Sequence, residues 1–275
     1  MRALLTLALV PTLFAATPAL QIVNPVLSQM DGGAPDPPGF EHVPGEIVWF
    51  TCRIAGYTRN ENEKVQLRYS VQAFDPQGIP LDEIFQNEMT VEVGPQDKDW
   101  LPKIATSLAL PPLAPPGDYK IVVKAEDLLA KTSTEFAYPF KVRGKAVEPS
   151  PTLIVRNFQF FRDEDGTRPA EKPDYHPGDG VFAKFDITGF KYGDRNKVDV
   201  SYVTSVIAPS GKVMWTQPEP AAEQSESFYP KRYVPATMGI NLTPTIKPGE
   251  YTIAVAVKDA IGGQTYEAKF PFTVQ

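Results

Sequence analysis

The chain has 275 residues, of which 42% are hydrophobic and 22% charged, and its formal net charge is -6. This length allows one large domain or two of ordinary size, and the composition excludes a disordered chain. The acidic balance disfavours nucleic acid as a partner and leaves no polybasic segment for an anionic membrane surface. The 29 prolines are scattered along the chain, which favours strands and turns over a helical bundle.

The first residues have the pattern of a secretory signal peptide. Met1 and Arg2 give a short positive start, residues 3–16 are almost entirely apolar, and small residues follow as far as Ala19. The apolar run is too short to span a membrane comfortably, and no later stretch reaches that length. We therefore expect a signal peptide over residues 1–19, a secreted or periplasmic mature chain, and no transmembrane segment after cleavage.

The rest of the chain repeats itself with a shift of 133 residues, which drops to 132 between Lys103 and Leu108. The clearest matched segments are PGE at 44–46 with PGD at 177–179, IAGY at 54–57 with ITGF at 187–190, and PGDY at 116–119 with PGEY at 248–251. A period this long makes each copy a whole domain. The sequence predicts a first domain over 20–143, a short and stiff linker over 144–151, and a second domain over 152–275.

Alternation of apolar and polar residues with a period of two dominates both copies. It is clear over residues 65–73 and 119–125 and over their counterparts in the second copy. Residues 75–78 (DPQG) place Pro and Gly for a tight turn between such runs. Only residues 81–87 and 220–227 allow a helical turn or two. The pattern predicts an all-β protein in which each copy closes a two-sheet sandwich.

Two segments, LAPPGDYKI at 113–121 and IKPGEYTI at 246–253, resemble the corner before the penultimate strand of immunoglobulin-like and fibronectin-III-like domains. In that corner a tyrosine hydroxyl bonds to the backbone just upstream. The resemblance implies this role for Tyr119 and Tyr251, which follow Gly117 and Gly249. It also implies two tandem immunoglobulin-like β-sandwich domains of the bacterial extracellular kind, without the paired cysteines of antibody domains. Such sandwiches serve adhesion, sugar binding, chaperoning and spacing, so the resemblance does not choose a function.

Cys52 is the only cysteine, and alternation places it on the inner face of a strand. A redox or metal-binding thiol is the functional alternative, but a buried apolar side chain is the more common fate of a free cysteine. His42 and His176 are the only histidines, and we expect both to lie in loops in water. Two histidines in separate domains do not supply the three or four ligands of a zinc site.

Residues 163–166 (DEDG) are a weak candidate for a calcium loop through Asp163 and Asp165. A solvated acidic turn explains them as well, so we expect no metal and no cofactor. Acidic residues such as Asp82 and Asp97 resemble ordinary surface charge, and the chain has no nucleophile elbow. The sequence therefore predicts a protein that is not an enzyme.

Aromatic side chains that face away from the core are candidates for ligand contact. Trp49 and Phe182 occupy one repeat position, Trp100 and Tyr233 another, and Trp215 stands where the first copy has Asp82. The alternative is that neighbouring segments cover these rings.

Three functional hypotheses remain open. The first is a non-catalytic exported binding or structural protein that presents two immunoglobulin-like domains to a protein partner. The second is a carbohydrate-binding protein that uses the exposed aromatic residues, with a polysaccharide as its partner. The third is a secreted hydrolase.

Overall fold

The computed structural model describes residues 19–97 and 99–275. The predicted signal peptide therefore lies, apart from Ala19, outside the described residues. Within the described part the protein is all-β, with strands arranged in four sheets and two single turns of 3-10 helix, Pro95–Asp97 and Asp194–Asn196.

The first half of the chain forms a three-stranded sheet and a five-stranded sheet. The strands are β1 (Gln21–Ser28), β2 (Glu41–His42), β3 (Ile47–Ala55), β4 (Lys64–Phe74), β5 (Phe85–Glu92), β6 (Lys103–Ala109), β7 (Gly117–Asp127) and β8 (Thr132–Val142). The strand orders are β1-β3-β6 and β2-β8-β7-β4-β5. Every pairing is antiparallel except that of β2 with β8.

The second half follows the same plan. Its strands are β9 (Ile154–Phe161), β10 (Asp174–Tyr175), β11 (Gly180–Thr188), β12 (Val198–Ile207), β13 (Val213–Thr216), β14 (Ala221–Ser225), β15 (Val234–Asn241), β16 (Gly249–Asp259) and β17 (Gln264–Val274). The orders are β9-β11-β15 and β10-β17-β16-β12-β13, and β14 pairs with β12 beside β13. Here β10 pairs with β17 in parallel, as β2 does with β8.

The cores form because alternate side chains of each strand point into the space between two sheets. In the first half Phe50 of β3, Leu67 of β4 and Ile121 of β7 are fully buried together. In the second half Val181 of β11 and Ile253 of β16 do the same. Full burial of one such side chain contributes about 1.5–3 kcal/mol, so these rows are the main stabilising element of each half.

The corner that the sequence motif predicts has its hydrogen bond in both halves. The Tyr119 hydroxyl donates to the Pro115 carbonyl at 2.6 Å, and the Tyr251 hydroxyl donates to the Lys247 carbonyl at 2.8 Å. Gly117 begins β7 with a φ of 149°, and an added Cβ there would lie 2.7 Å from Pro76 Cγ. Only glycine fits this close approach of the turn to the strand.

Residues 81–87 and 220–227, which the sequence allowed to form a helical turn, contain no helix. Their places are taken by β5 and β14, which lie at the edges of their sheets. An edge strand has one neighbour and much exposed surface, so its sequence carries little of the apolar periodicity that identifies a central strand.

One buried carboxylate ties the two halves together. Asp75 follows β4, and its Oδ1 accepts the backbone N–H groups of Gln77 at 2.9 Å and Ile79 at 2.8 Å. Its Oδ2 accepts the Tyr229 hydroxyl at 2.9 Å and Arg232 Nη2 at 2.7 Å, both from the second half. Arg232 Nη2 also donates to the Gln77 amide oxygen at 3.2 Å. We call the side chains of Asp75, Gln77, Tyr229 and Arg232 the junction cluster.

The junction cluster joins the first-half core through Tyr229. Tyr229 is buried among the side chains of that core, and burial raises its pKa to about 12. At the shift of 133, Asp75 corresponds to Ala208, so the second half has no equivalent carboxylate. The linker is also fastened, because Lys145 Nζ donates to the fully buried Asp186 at 2.7 Å.

Candidate functional site

The buried carboxylates of the two halves are occupied by structural bonds. Asp127 accepts the backbone N–H groups of Thr58 at 2.6 Å and Leu129 at 2.9 Å, and its counterpart Asp259 accepts those of Lys191 and Ile261, each at 3.0 Å. These bonds close the loops after β7 and β16, because each carboxylate satisfies backbone donors that would otherwise be unpaired.

Cys52 lies in the first-half core with 1% of its surface exposed. Burial raises the pKa of its thiol to about 12. In the described residues no group of three or more His, Cys, Asp or Glu side chains is placed to hold a metal ion. The thiol is therefore a neutral packing group at ordinary pH.

The expectation that both histidines lie in water is wrong for His42. Its side chain is 1% exposed, with Nε2 3.2 Å from Asp36 Oδ2 and Nδ1 3.4 Å from Glu46 Oε2. The edges of Phe40 and Phe140 close the remaining space. His42 is buried because it belongs to β2, which pairs with β8, and its side chain points inward. The expectation holds for His176, whose side chain is 70% exposed.

The turn that contains Asp163 and Asp165 is held by hydrogen bonds from neighbouring residues. Asp163 Oδ1 accepts the Thr167 N–H at 2.9 Å, and Oδ2 accepts Arg168 Nε at 3.1 Å. The Thr167 hydroxyl also donates to Asp163, and this bond, with those from Arg168, holds the pKa of the carboxyl well below its usual range. The backbone carbonyl of Asp165 accepts Lys184 Nζ. Because both carboxylate oxygens of Asp163 and the carbonyl of Asp165 have protein donors, the turn has few free oxygens for calcium.

The aromatic candidates differ in exposure: Tyr233 is buried, Trp215 is exposed, and the other three rings are half-buried. Trp100 lies against the first-half core with its ring 6.2 Å from that of Tyr57, whose hydroxyl donates to the Trp100 carbonyl. Tyr233 is only 7% exposed, with Lys145 Nζ 5.6 Å from its ring centre. An exposed ligand-binding role is therefore wrong for Tyr233, because the ring packs beneath the fastened linker.

Trp100 and Tyr233 do not occupy one position of the repeat. Arg53 pairs with Lys103, and Asp186 pairs with Pro235, so the shift between β6 and β15 is already 132 at the start of these strands. Tyr233 consequently corresponds to Leu101. The sequence comparison missed this because two aromatic residues happen to align at the shift of 133.

Trp49 and Phe182 occupy the same position of the repeat, because each is the third residue of its strand, β3 or β11. Both side chains are half-buried. Trp49 is flanked across the sheet by Ser28 and Ser107. Phe182 is flanked by Phe161 and Gly239. An added Cβ on Gly239 would lie 3.0 Å from Phe182 Cδ1, so the ring lies directly on the β15 backbone. An aromatic side chain that covers a cross-strand glycine in this way stabilises the pairing.

Phe182 and Trp215 line one groove of about 590 Å³ in the second half, and they are the two aromatic candidates that the structure brings together. We call it the β13–β15 groove. Trp215 is 38% exposed and Met214 is 55% exposed. The remaining lining comes from both sheets and from neighbouring loops: Glu164, Val206, Gly239, Ile240, Asn241, Leu242, Thr243 and Ile246.

A second surface feature is the free edge of β5, which the sequence did not indicate. β5 pairs with β4 over its whole length and ends its sheet. The Val93 N–H donates to Glu63, so by the alternation of an antiparallel ladder the N–H groups of residues 86, 88, 90 and 92 point away from β4. The Glu88 N–H donates to Asn87 Oδ1. The N–H groups of Gln86, Thr90 and Glu92 have no partner in the described part of the chain.

No family model matches the chain, and no curated protein matches it significantly. Among solved structures, a family 123 glycoside hydrolase from Clostridium perfringens matches with a TM-score of 0.29 and 15% identity over 45% of this chain and 27% of that chain. The C-terminal domain of an antigen I/II-family protein of Streptococcus pyogenes matches with a TM-score of 0.32 and 11% identity over 92% of this chain and 99% of that domain. The described residues contain no helix of the length and hydrophobicity that crossing a bilayer requires.

Proposed function

We propose that the chain is a non-catalytic exported binding protein that presents two tandem immunoglobulin-like β-sandwich domains to a protein partner. The matching strand orders of residues 20–143 and 152–275, and the corner hydrogen bonds of Tyr119 and Tyr251, support the two-domain description. The bonds that occupy Asp75, Asp127, Asp186 and Asp259 support a role without catalysis, because these buried carboxylates are committed to the fold.

The observation that carries the proposal is the free edge of β5. Eight residues of regular strand end the sheet, with three N–H groups that have no partner among the described residues. Phe85 at its start is 39% exposed and the preceding Ile84 is 43% exposed. A partner strand added at such an edge gains main-chain hydrogen bonds and packs its alternate side chains on the sheet faces.

In the second half the equivalent edge of the sheet is interrupted. There β13 and β14 are short strands separated by Pro218 and Pro220, and proline donates no ladder hydrogen bond. Interrupted edges of this kind protect a sheet from adding strands. Glu88 pairs with Arg68 at 3.2 Å and Glu92 pairs with Lys64 at 3.7 Å, so neither carboxylate is left to select a basic partner. The edge therefore selects an extended segment through its main chain and its apolar side chains.

The test is a substitution that removes one free donor and leaves the β4 pairing intact. Thr90→Pro deletes an N–H that points away from β4, which an edge strand tolerates. Random twelve-residue peptides displayed on phage would be selected on the immobilised chain lacking the predicted signal peptide. We expect selected peptides with alternating apolar residues, and at least a tenfold loss of affinity with Thr90→Pro.

The matched control is Thr90→Ala, which changes the same side chain and retains the N–H. It is expected to bind the selected peptides as the wild type does, and both variants are expected to unfold near the wild-type urea midpoint. Two results would contradict the proposal: the peptides bind Thr90→Pro as tightly as the wild type, or no peptide is selected whose binding depends on this edge.

A further inference from the structure

A second site lies in the other half of the molecule, away from the β5 edge. The β13–β15 groove opens between the edge strands of the two second-half sheets, so side chains of β13 approach it from one sheet and those of β11 and β15 from the other. Its volume of about 590 Å³ falls in the range of small-ligand sites.

The groove is built from aromatic and aliphatic surface. Trp215 and Met214 lie on β13 and remain substantially exposed, although large apolar side chains are normally buried where a core offers room. Phe182 reaches the groove because Gly239 has no side chain beneath it. Flat aromatic rings of this kind pack against the C–H faces of ligand rings.

The polar groups of the groove are unused. The side chains of Glu164, Asn241 and Thr243 line it, and within the described residues they take part in no side-chain hydrogen bond. The Glu164 carboxylate accepts hydrogen bonds, and the Asn241 amide and the Thr243 hydroxyl both donate and accept them. Buried ligand hydroxyls need partners of this kind, because an unpaired polar group costs free energy on binding.

The charge of the groove restricts the ligand further. Glu164 is its one charged lining residue, and no lysine or arginine is among the residues that line it. An anionic ligand would therefore meet a carboxylate and no cation. The complementary molecule is neutral, carries several hydroxyl groups and has an apolar face.

The first half lacks this groove, which makes it an internal comparison. Leu81 donates its N–H to Ala73, the counterpart of Val206, and is buried where Trp215 is exposed. Ala109 corresponds to Asn241 and Pro111 to Thr243 at the shift of 132, so the polar partners are missing as well. The groove is therefore a specific feature of the second half and not a consequence of the fold.

We propose that the β13–β15 groove binds the sugar rings of a neutral carbohydrate, with Trp215 and Phe182 stacking against a pyranose face and Glu164, Asn241 and Thr243 binding its hydroxyls. The site is separate from the β5 edge, so the two proposals can fail independently.

The test is an array of neutral and acidic glycans, followed by isothermal titration with the best soluble oligosaccharide of the neutral set, using cellohexaose, maltohexaose, xylohexaose and mannohexaose as defined probes. We expect binding of at least one neutral probe and a change in tryptophan fluorescence. Trp215→Ala and Asn241→Ala are expected to weaken that binding at least tenfold, and the second substitution introduces the residue of the first half without removing packing.

Two controls separate loss of the site from loss of the fold. Trp49→Phe changes the first-half counterpart of Phe182, on β3, and is expected to bind the neutral glycan as the wild type does. The thermal unfolding midpoints of Trp215→Ala and Asn241→Ala are expected to stay near that of the wild type. Binding of acidic glycans alone, selected peptides that occupy this groove, no binding of any neutral glycan, or unchanged affinity in both groove variants would overturn the proposal.

Discussion

Cys52 shows how burial controls the chemistry of a single side chain. Burial raises the pKa of its thiol from 9.0 in the unfolded chain to about 12 in the folded one. The neutral thiol is then favoured by folding, so its stabilising contribution is complete below pH 9 and is lost as pH rises through about 12. Between pH 9 and 11, the free energy of unfolding of the wild type is expected to fall more steeply than that of Cys52→Ala. Urea unfolding at each pH measures this difference.

The accessibility of the same thiol gives a second measurement that does not require a pH series. A thiol reagent at pH 8 is expected to label Cys52 only as fast as the first half opens, because the reagent requires an accessible thiolate. Rapid labelling of the folded chain, together with parallel pH profiles for the wild type and Cys52→Ala, would show that the thiol is not held in the core.

The alternation in the sequence placed the Cys52 side chain on the inner face of its strand, but it did not indicate that His42 is buried. The difference has a physical reason. Cys52 lies inside a long alternating strand, where its neighbours define the inner face. His42 lies in a strand of two residues, which is too short to show a period. Its carboxylate neighbours Asp36 and Glu46 come from the flanking loops, and only the fold brings them to the ring.

The corner before β7 is an element whose stability can be tested by removing one atom. Tyr119→Phe deletes the hydroxyl that donates to Pro115 and leaves the ring packed, so we expect a loss of about 1 kcal/mol in the free energy of unfolding. Urea denaturation followed by tryptophan fluorescence measures it.

Tyr138→Phe is the matched substitution in the same half. Tyr138 packs against the core on β8, and its hydroxyl makes no hydrogen bond within the described residues, so its removal is expected to change stability little. Equal losses in the two variants would show that the effect arises from the ring environment and not from the corner bond.

Central strands and edge strands differ in how far the sequence determines them. β4 and β12 were predictable because each is buried on one face along its full length, as the Leu67 and Val200 rows show. β5 and β14 were not, because neither strand has a buried side chain. The free N–H groups of β5 depend on which strand lies beside it, and no local pattern encodes that choice. The groove likewise arises from β13 and β15, which are distant in sequence and belong to different sheets.

The relation between the two halves rests on the junction cluster. Asp75 and Tyr229 are 154 residues apart, and neither residue has an equivalent in the other half, so no repeat pattern could indicate their contact. Asp75→Ala would leave the Tyr229 hydroxyl and the Arg232 guanidinium without their common acceptor, and removing one partner of a buried pair typically costs about 3–5 kcal/mol.

We expect Asp75→Ala to lower the thermal transition of the first half and to broaden the distribution of distances between the halves. Calorimetry and distance measurement between spin labels at exposed sites, one in each half, follow the two effects. Asp82→Ala removes an exposed carboxylate of the same half and is expected to change neither. A distance distribution in Asp75→Ala as narrow as that of the wild type would show that Lys145 and Asp186 alone fix the halves.

The asymmetry of the junction cluster limits how this architecture can grow. Tyr229 and Arg232 recognise Asp75, but the place of that carboxylate in the second half is held by the methyl group of Ala208. An additional copy of the unit joined behind the second one would bring its own tyrosine and arginine to a site with no acceptor. The contact therefore fixes the order of the two halves, because the first half supplies the carboxylate and the second half supplies the tyrosine and the arginine that bind it.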